Sequence, residues 1–126
     1  MGHTVWQIST LQEPEIIQLE IYGPFTEQNI ISALSETLAL AQAQNIDKVL
    51  IDKRQTTVPA SWDADDPLDK LAYQVFLGQA QRTALLFADS YRFNESVISL
   101  MQIQATQTER LHCFFDRERA LHWLTR

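Results

Sequence analysis

Two polar segments of the chain contain residue types that commonly form binding surfaces. A basic pair can receive an anionic group or an acidic partner, and arginine and aromatic side chains are enriched at protein interfaces. In the first segment, a loop predicted at residues 53–66, the candidate binding residues are Lys53, Arg54, Ser61, Trp62 and Asp63. In the second, which follows the next predicted strand, they are Asp89, Tyr91, Arg92 and Phe93. If the two preceding strands are neighbours, both segments share one rim of the sheet, which we predict to be the binding surface.

The first segment also has a purely structural interpretation. In that interpretation Arg54 pairs with Asp63 or Asp65, and Trp62 seals the core, as loop aromatic residues often do. The sequence leaves both interpretations open. The segment is the longest irregular stretch of the chain, and long loops in compact domains are often functional.

The sequence contains few of the patterns that indicate catalysis, metal binding or nucleotide binding. His112 and Cys113 are adjacent in a predicted strand, so their side chains point to opposite faces and do not form a nucleophile–base pair. The chain lacks HExxH and paired CxxC spacings, and its three glycines are not clustered into a phosphate-binding loop. An enzyme acting through Asp52, Lys53 and Asp89 is a third functional hypothesis, although carboxylates at strand ends usually cap helices. We predict no enzymatic activity, no cofactor and no metal.

Length and charge narrow the classes of partner. The 126 residues are 45% hydrophobic and 21% charged, which is typical of one globular domain spanning residues 1–126. A net charge of -6 and a pI near 4.9 disfavour nucleic acid and anionic membrane surfaces, so we predict neither as a partner. Residues 1–15 contain no apolar targeting segment, and no apolar run approaches the ~20 residues that span a bilayer. With a single cysteine, Cys113, the chain suits a reducing cytoplasm.

The order of predicted elements is β-β-α-β-α-β-α-β-α. The predicted strands are residues 4–9, 16–22, 48–52, 82–89 and 111–115, and the predicted helices are residues 26–45, 67–78, 94–108 and a last helix capped by Asp116. In the last helix we expect Ala120, Leu121 and Leu124 to face the core and Trp123 to lie near its edge. Strands joined by helical crossovers lie parallel, so we predict an α/β fold with a mixed sheet of about five strands and flanking helices.

Several segments resemble a known family. The ending at residues 114–124 follows the pattern F-x-D-x-E-x-A-x-x-W-L that is typical of SpoIIAA-like, or STAS-like, bacterial proteins, and residues 21–25, 48–54 and 82–87 add to the resemblance. It implies a mixed sheet flanked by helices and a role in protein–protein regulation or ligand sensing. Related anti-sigma-factor antagonists carry a phosphorylatable serine directly after the strand that corresponds to residues 48–52. Here Lys53, Arg54 and Gln55 follow instead, so the phosphorylation switch is not carried over.

The leading hypothesis is therefore a non-enzymatic regulatory or protein-interaction module that binds a protein partner at the predicted rim. A homodimer is an arrangement that this hypothesis leaves open. The alternative is a small apolar-ligand or lipid-binding protein, since related mixed α/β sheets include the CRAL-TRIO lipid-transfer domains.

Overall fold

The computed structural model describes residues 5–12, 15–24, 27–57, 82–89 and 110–125. Five strands and two helices lie in these ranges: β1 Val5–Leu11, β2 Ile16–Pro24, α1 Glu27–Gln44, β3 Lys48–Thr57, β4 Arg82–Leu86, β5 Leu111–Phe114 and α2 Arg117–Thr125. The predicted helices at residues 67–78 and 94–108 lie outside the described residues. Neither described helix is long and apolar enough to cross a membrane.

The five strands form one mixed sheet in the order β1-β2-β3-β4-β5. β1 and β2 are antiparallel, whereas β2, β3, β4 and β5 pair in parallel. The prediction of a five-stranded mixed sheet is confirmed. Because β3 and β4 are parallel neighbours, the carboxyl ends of both strands lie at the same rim, as the predicted binding surface requires.

Each face of the sheet buries its own apolar cluster. Ile17, Leu19, Val49, Ile51 and Leu85 pack with α1 on one face. Leu50, Ala84 and Leu86 pack on the other face with Ala120, Trp123 and Leu124 of α2. Successive side chains of a strand point to opposite faces, so the uninterrupted run at residues 49–51 fills both clusters and makes β3 a central strand.

Helix α1 ends through a backbone conformation that asparagine tolerates. Asn45 has a φ of 56°, in the left-handed region that only glycine, asparagine and aspartate visit routinely. The Ile46 N–H then donates to the Ala41 carbonyl at 2.8 Å, which satisfies one of the last carbonyls of the helix. This turn buries Ile46 and directs the chain into β3.

Strands β2 and β3 are both longer than predicted. β2 continues through Gly23 and Pro24, which pair with Thr56 and Thr57 at the end of β3. The prediction that a loop begins at residue 53 is therefore wrong for residues 53–57. Residues 53–57 are mostly polar and show no alternation of apolar and polar side chains, so their sequence does not indicate a strand. The strand forms because hydrogen bonds between paired strands join backbone groups, and β2 supplies those groups.

The position predicted for Trp123 also requires correction. Asp116 caps α2 as predicted, with its Oδ1 accepting the Glu118 N–H at 3.1 Å. Trp123, however, is buried and Leu121 is only partly buried, because residues 120, 123 and 124 share one stripe of the helix. The guanidinium of Arg82 lies 5.4 Å from the Trp123 ring centroid and donates to the Trp123 carbonyl at 2.7 Å. Arg82 thereby fixes the end of α2 to the start of β4.

We predict that Trp123→Ala lowers the free energy of unfolding by about 3–5 kcal/mol, because it leaves a cavity between α2 and the sheet. Chemical denaturation followed by circular dichroism measures the change. Arg119→Ala on the same helix is the control: its side chain is 84% exposed, and we expect a change within about 0.5 kcal/mol. Equal effects of the two substitutions would contradict this account of the core.

Candidate functional site

The central strand contains a bulge where it reaches the carboxyl rim of the sheet. Glu20 pairs with Asp52, but Tyr22 pairs with Gln55, so β3 has one more residue than β2 across this interval. Lys53 and Arg54 together lie opposite Ile21. Bulges between parallel strands are rare, and bulges in general are common beside functional sites, where they redirect side chains.

Two side chains hold the peptide group of the bulge. The Arg54 N–H donates to Asp52 Oδ1 at 3.0 Å, and the hydroxyl of Thr56 donates to the Lys53 carbonyl at 2.6 Å. These two backbone groups belong to the same peptide bond. Asp52, Lys53 and Thr56 are all buried, so this peptide group gives up its hydrogen bonds to water when the chain folds. The two side chains replace those hydrogen bonds.

The same aspartate also positions the Arg54 side chain. Arg54 Nε and Nη2 donate to Asp52 Oδ1 and Oδ2 at 3.0 and 2.8 Å, which is a bidentate ion pair. The hydrogen bond to Asp52 raises the pKa of Arg54 above its ordinary value, chiefly by favouring the charged form. The Arg54 side chain is 40% exposed and that of Asp52 only 9%. The buried Asp52 carboxylate therefore fixes the Arg54 guanidinium by hydrogen bonds, while part of the guanidinium remains exposed to solvent.

A line of hydrogen-bonded side chains on β2 runs beside this ion pair. Arg117 Nη2 donates to Gln18 Oε1 at 2.6 Å, and Gln18 Nε2 donates to Glu20 Oε1 at 2.9 Å. The Tyr22 hydroxyl donates to Glu20 Oε2 at 2.6 Å. That hydrogen bond raises the pKa of Tyr22, with smaller contributions from burial and from the negative charges of Glu20 and Asp52.

We name the group formed by Glu20, Tyr22, Asp52 and Arg54 the Arg54 rim. The sequence-based prediction included Arg54 but missed the other three as members of one surface. In the sequence of β2, Ile17, Leu19 and Ile21 alternate with Gln18, Glu20 and Tyr22, and this pattern does place Glu20 and Tyr22 on the more polar face of the strand. The missing information was the register between β2 and β3, which sets Glu20 directly beside Asp52.

Lys53 lies on the other side of the sheet. Only 2% of the residue is exposed, and its Nζ lies 5.4 Å from the Phe87 ring centroid, among the residues that pack with α1. Lys53 and Arg54 therefore do not form one exposed basic pair. Arg54 pairs with Asp52. The alternative pairing with Asp63 or Asp65 falls on residues outside the described ranges.

Asp89 is exposed after β4, and it borders a cavity of about 490 Å³ at the carboxyl end of β5. The cavity is lined by both polar and aromatic residues: Asp89, His112, Cys113, Phe114, Phe115, Asp116 and Arg119. Of the other predicted binding residues, Ser61, Trp62, Asp63, Tyr91, Arg92 and Phe93 lie outside the described residues.

Cys113 borders the cavity as an unreactive thiol. Burial raises its pKa from 9.0 to about 12, against a smaller lowering by the charge of Lys53. A cysteine nucleophile acts as the thiolate, so Cys113 is almost entirely in the unreactive form at neutral pH. Within the described ranges, no cluster of three or more histidine, cysteine, aspartate or glutamate residues could hold a metal ion.

We predict that Thr56→Val lowers the free energy of unfolding by about 1–3 kcal/mol, because it leaves the buried Lys53 carbonyl without its hydroxyl donor. Thr37→Val is the matched control. The Thr37 hydroxyl is equally buried and donates to the Ala33 carbonyl at 2.7 Å, but that carbonyl lies within α1, where it can accept a helical hydrogen bond as well. Chemical denaturation of both variants should show the larger loss for Thr56→Val. A loss no larger than that of the control would show that the hydroxyl does not stabilise the bulge.

The chain matches no protein-family model and no curated protein. Among solved structures, it is similar to a protein of the DUF3478 family from Shewanella loihica PV-4, which has a SpoIIAA-like fold. The two chains are 16% identical in sequence, the match covers 96% of this chain and 93% of the other, and the TM-score is 0.58. The resemblance noted in the sequence is thus confirmed for the fold: this chain has a SpoIIAA-like α/β fold.

Proposed function

We propose that this protein is a non-enzymatic regulatory module that binds a protein partner through the Arg54 rim. The observation that carries the proposal is the exposed guanidinium of Arg54, held by a buried carboxylate at a bulge in the central strand. Arginine and tyrosine are, with tryptophan, the residue types enriched among those that dominate binding energy at protein interfaces, and the rim contains one arginine and one tyrosine.

The rim is ordered before any partner arrives. Ordering a long side chain on binding costs about 0.5–1.5 kcal/mol, and the hydrogen bonds of Arg54 and Tyr22 remove much of that cost in advance. A guanidinium has five N–H donors, of which Asp52 engages two. The remaining donors suit an acceptor on the partner, such as a carboxylate or a backbone carbonyl.

The arrangement of the strand-end residues favours binding over catalysis. The enzyme hypothesis required Asp52, Lys53 and Asp89 to converge on one substrate. Asp52 pairs with Arg54 at the rim, whereas Lys53 is buried against Phe87 on the side of α1. The protonated thiol of Cys113 also supports a non-enzymatic role.

The fold supports the same proposal. SpoIIAA-like proteins are the group for which the sequence resemblance implied protein–protein regulation, and this chain has their fold. We propose a bacterial, cytoplasmic setting for this role: the sequence resembles bacterial proteins, and a chain with one cysteine, which is buried, suits a reducing compartment.

We predict that Arg54→Ala lowers retention of the protein partner by at least about tenfold, as expected when an anchoring interface arginine is truncated. The measurement is an affinity pull-down from the cells in which the protein naturally occurs, with proteins quantified by mass spectrometry. Arg110→Ala is the matched control, because Arg110 is an exposed arginine just before β5, at the amino end of the parallel strands and so away from the carboxyl ends that form the Arg54 rim. Circular dichroism checks that both variants are folded.

A partner retained by wild type and the Arg110 variant but lost with Arg54→Ala would support the proposal. Equal retention by all three proteins would contradict the rim as the binding surface. If wild type retains no protein, the interaction module is contradicted. The cavity of about 490 Å³ then favours the second candidate, a small-ligand binding protein, and its ligand would add mass to the protein in native mass spectra.

A further inference from the structure

The outer edge of β1 has the features of an edge that can pair with another strand. β1 is the first strand in the sheet order and has β2 as its only neighbour in the described sheet. Its seven residues, VWQISTL, include no charged residue, no proline and no glycine. Natural edge strands usually carry charged residues, a proline or a bulge, which prevent pairing with another chain.

The backbone of β1 is also regular along its whole length. All seven residues pair with β2 without a shift in register, whereas β3 contains a bulge near its end. In a regular strand, the N–H and C=O groups that do not face β2 point outward at even spacing. An extended, uncharged edge of this kind is a template for one more strand.

We propose that a second copy of this chain pairs with β1 in an antiparallel arrangement, on a two-fold axis that passes beside Ile8. In a symmetric antiparallel pair, only the register centred on Ile8 places all seven residues opposite a partner residue. It sets Val5 opposite the partner subunit's Leu11, and Gln7 opposite the partner subunit's Ser9. The result is a ten-stranded sheet shared by two copies.

The exposed side chains of β1 favour this register. Val5 is 57% exposed and is the one large hydrophobic residue with so much exposure among the described residues. Leu11 is partly buried and packs with the cluster beneath α2. Val5 and Leu11 share one face of β1, and directly opposed residues of antiparallel strands project to the same face, so each Val5 would contact a partner Leu11. No charged residue opposes another along the strand pair.

Sedimentation velocity from about 1 to about 100 µM tests the association, a range suited to the weak affinity expected of a small interface. We expect the mass of wild type to rise toward twice that of the chain. The double variant Gln7→Lys/Ser9→Lys, which sets lysines opposite lysines, should remain monomeric. The control, Ser35→Lys/Ala39→Lys, adds the same charge at exposed positions of α1 and should associate like wild type.

Cysteine cross-linking tests the register. Gln7→Cys and Ser9→Cys are purified separately and oxidised mildly, alone and as a mixture. We expect a disulfide-linked dimer in the mixture, because the two cysteines face each other there. Either variant alone should give little dimer, since equivalent positions lie too far apart for a disulfide. Wild type, whose one cysteine is the buried Cys113, is the control for cross-linking through that residue.

A wild type that stays monomeric over the whole concentration range would overturn the proposal. So would association that persists in the Gln7→Lys/Ser9→Lys variant while circular dichroism shows that variant to be folded. Equal cross-linking of each cysteine variant alone and of the mixture would overturn the register centred on Ile8.

Discussion

The Lys53–Arg54 peptide bond is the constraint on which the candidate site depends. It lies in buried backbone at a bulge of the central strand, so both of its polar groups need partners within the protein. Asp52 accepts the Arg54 N–H and Thr56 donates to the Lys53 carbonyl. Because the same Asp52 carboxylate binds the Arg54 guanidinium, the group that stabilises the bulge also fixes the exposed side chain beside it. The backbone geometry of the bulge and the position of the exposed guanidinium are thus set by the same carboxylate.

The bulge also separates two adjacent basic residues. Lys53 enters the apolar layer beneath α1 and lies over the Phe87 ring, while Arg54 faces solvent beside Glu20 and Tyr22. A cation over an aromatic face at a buried position contributes to packing and is not available to a large partner. The Arg54 rim therefore presents a positioned guanidinium among carboxylates, a pattern suited to recognition through hydrogen bonds and not to attraction by net positive charge.

Features set by local patterns were predictable from the sequence, and features set by strand pairing were not. The Asp116 cap acts within a few residues and was predicted correctly. The alternation in β2 and the apolar run at residues 49–51 are equally local patterns, and they match the burial of those strands. The extension of β3 through Thr57 depends on backbone groups supplied by β2, which the polar side chains of residues 53–57 do not reveal. For the same reason, the contact between Glu20 and the bulge required the register. Trp123 was misplaced because its burial also depends on contact with Arg82, which lies 41 residues earlier in the chain.

The most direct measurement of the central claim is the hydrogen-exchange rate of the Arg54 backbone amide, followed by NMR. An amide that donates to a partly buried acceptor is protected from exchange with water, so the account predicts slow exchange of the Arg54 amide in wild type. In Asp52→Ala, which removes the acceptor, the Arg54 amide should exchange much faster while the amides of α1 keep their wild-type rates. An Arg54 amide that exchanges equally slowly in both proteins would contradict the claim that Asp52 holds the bulge.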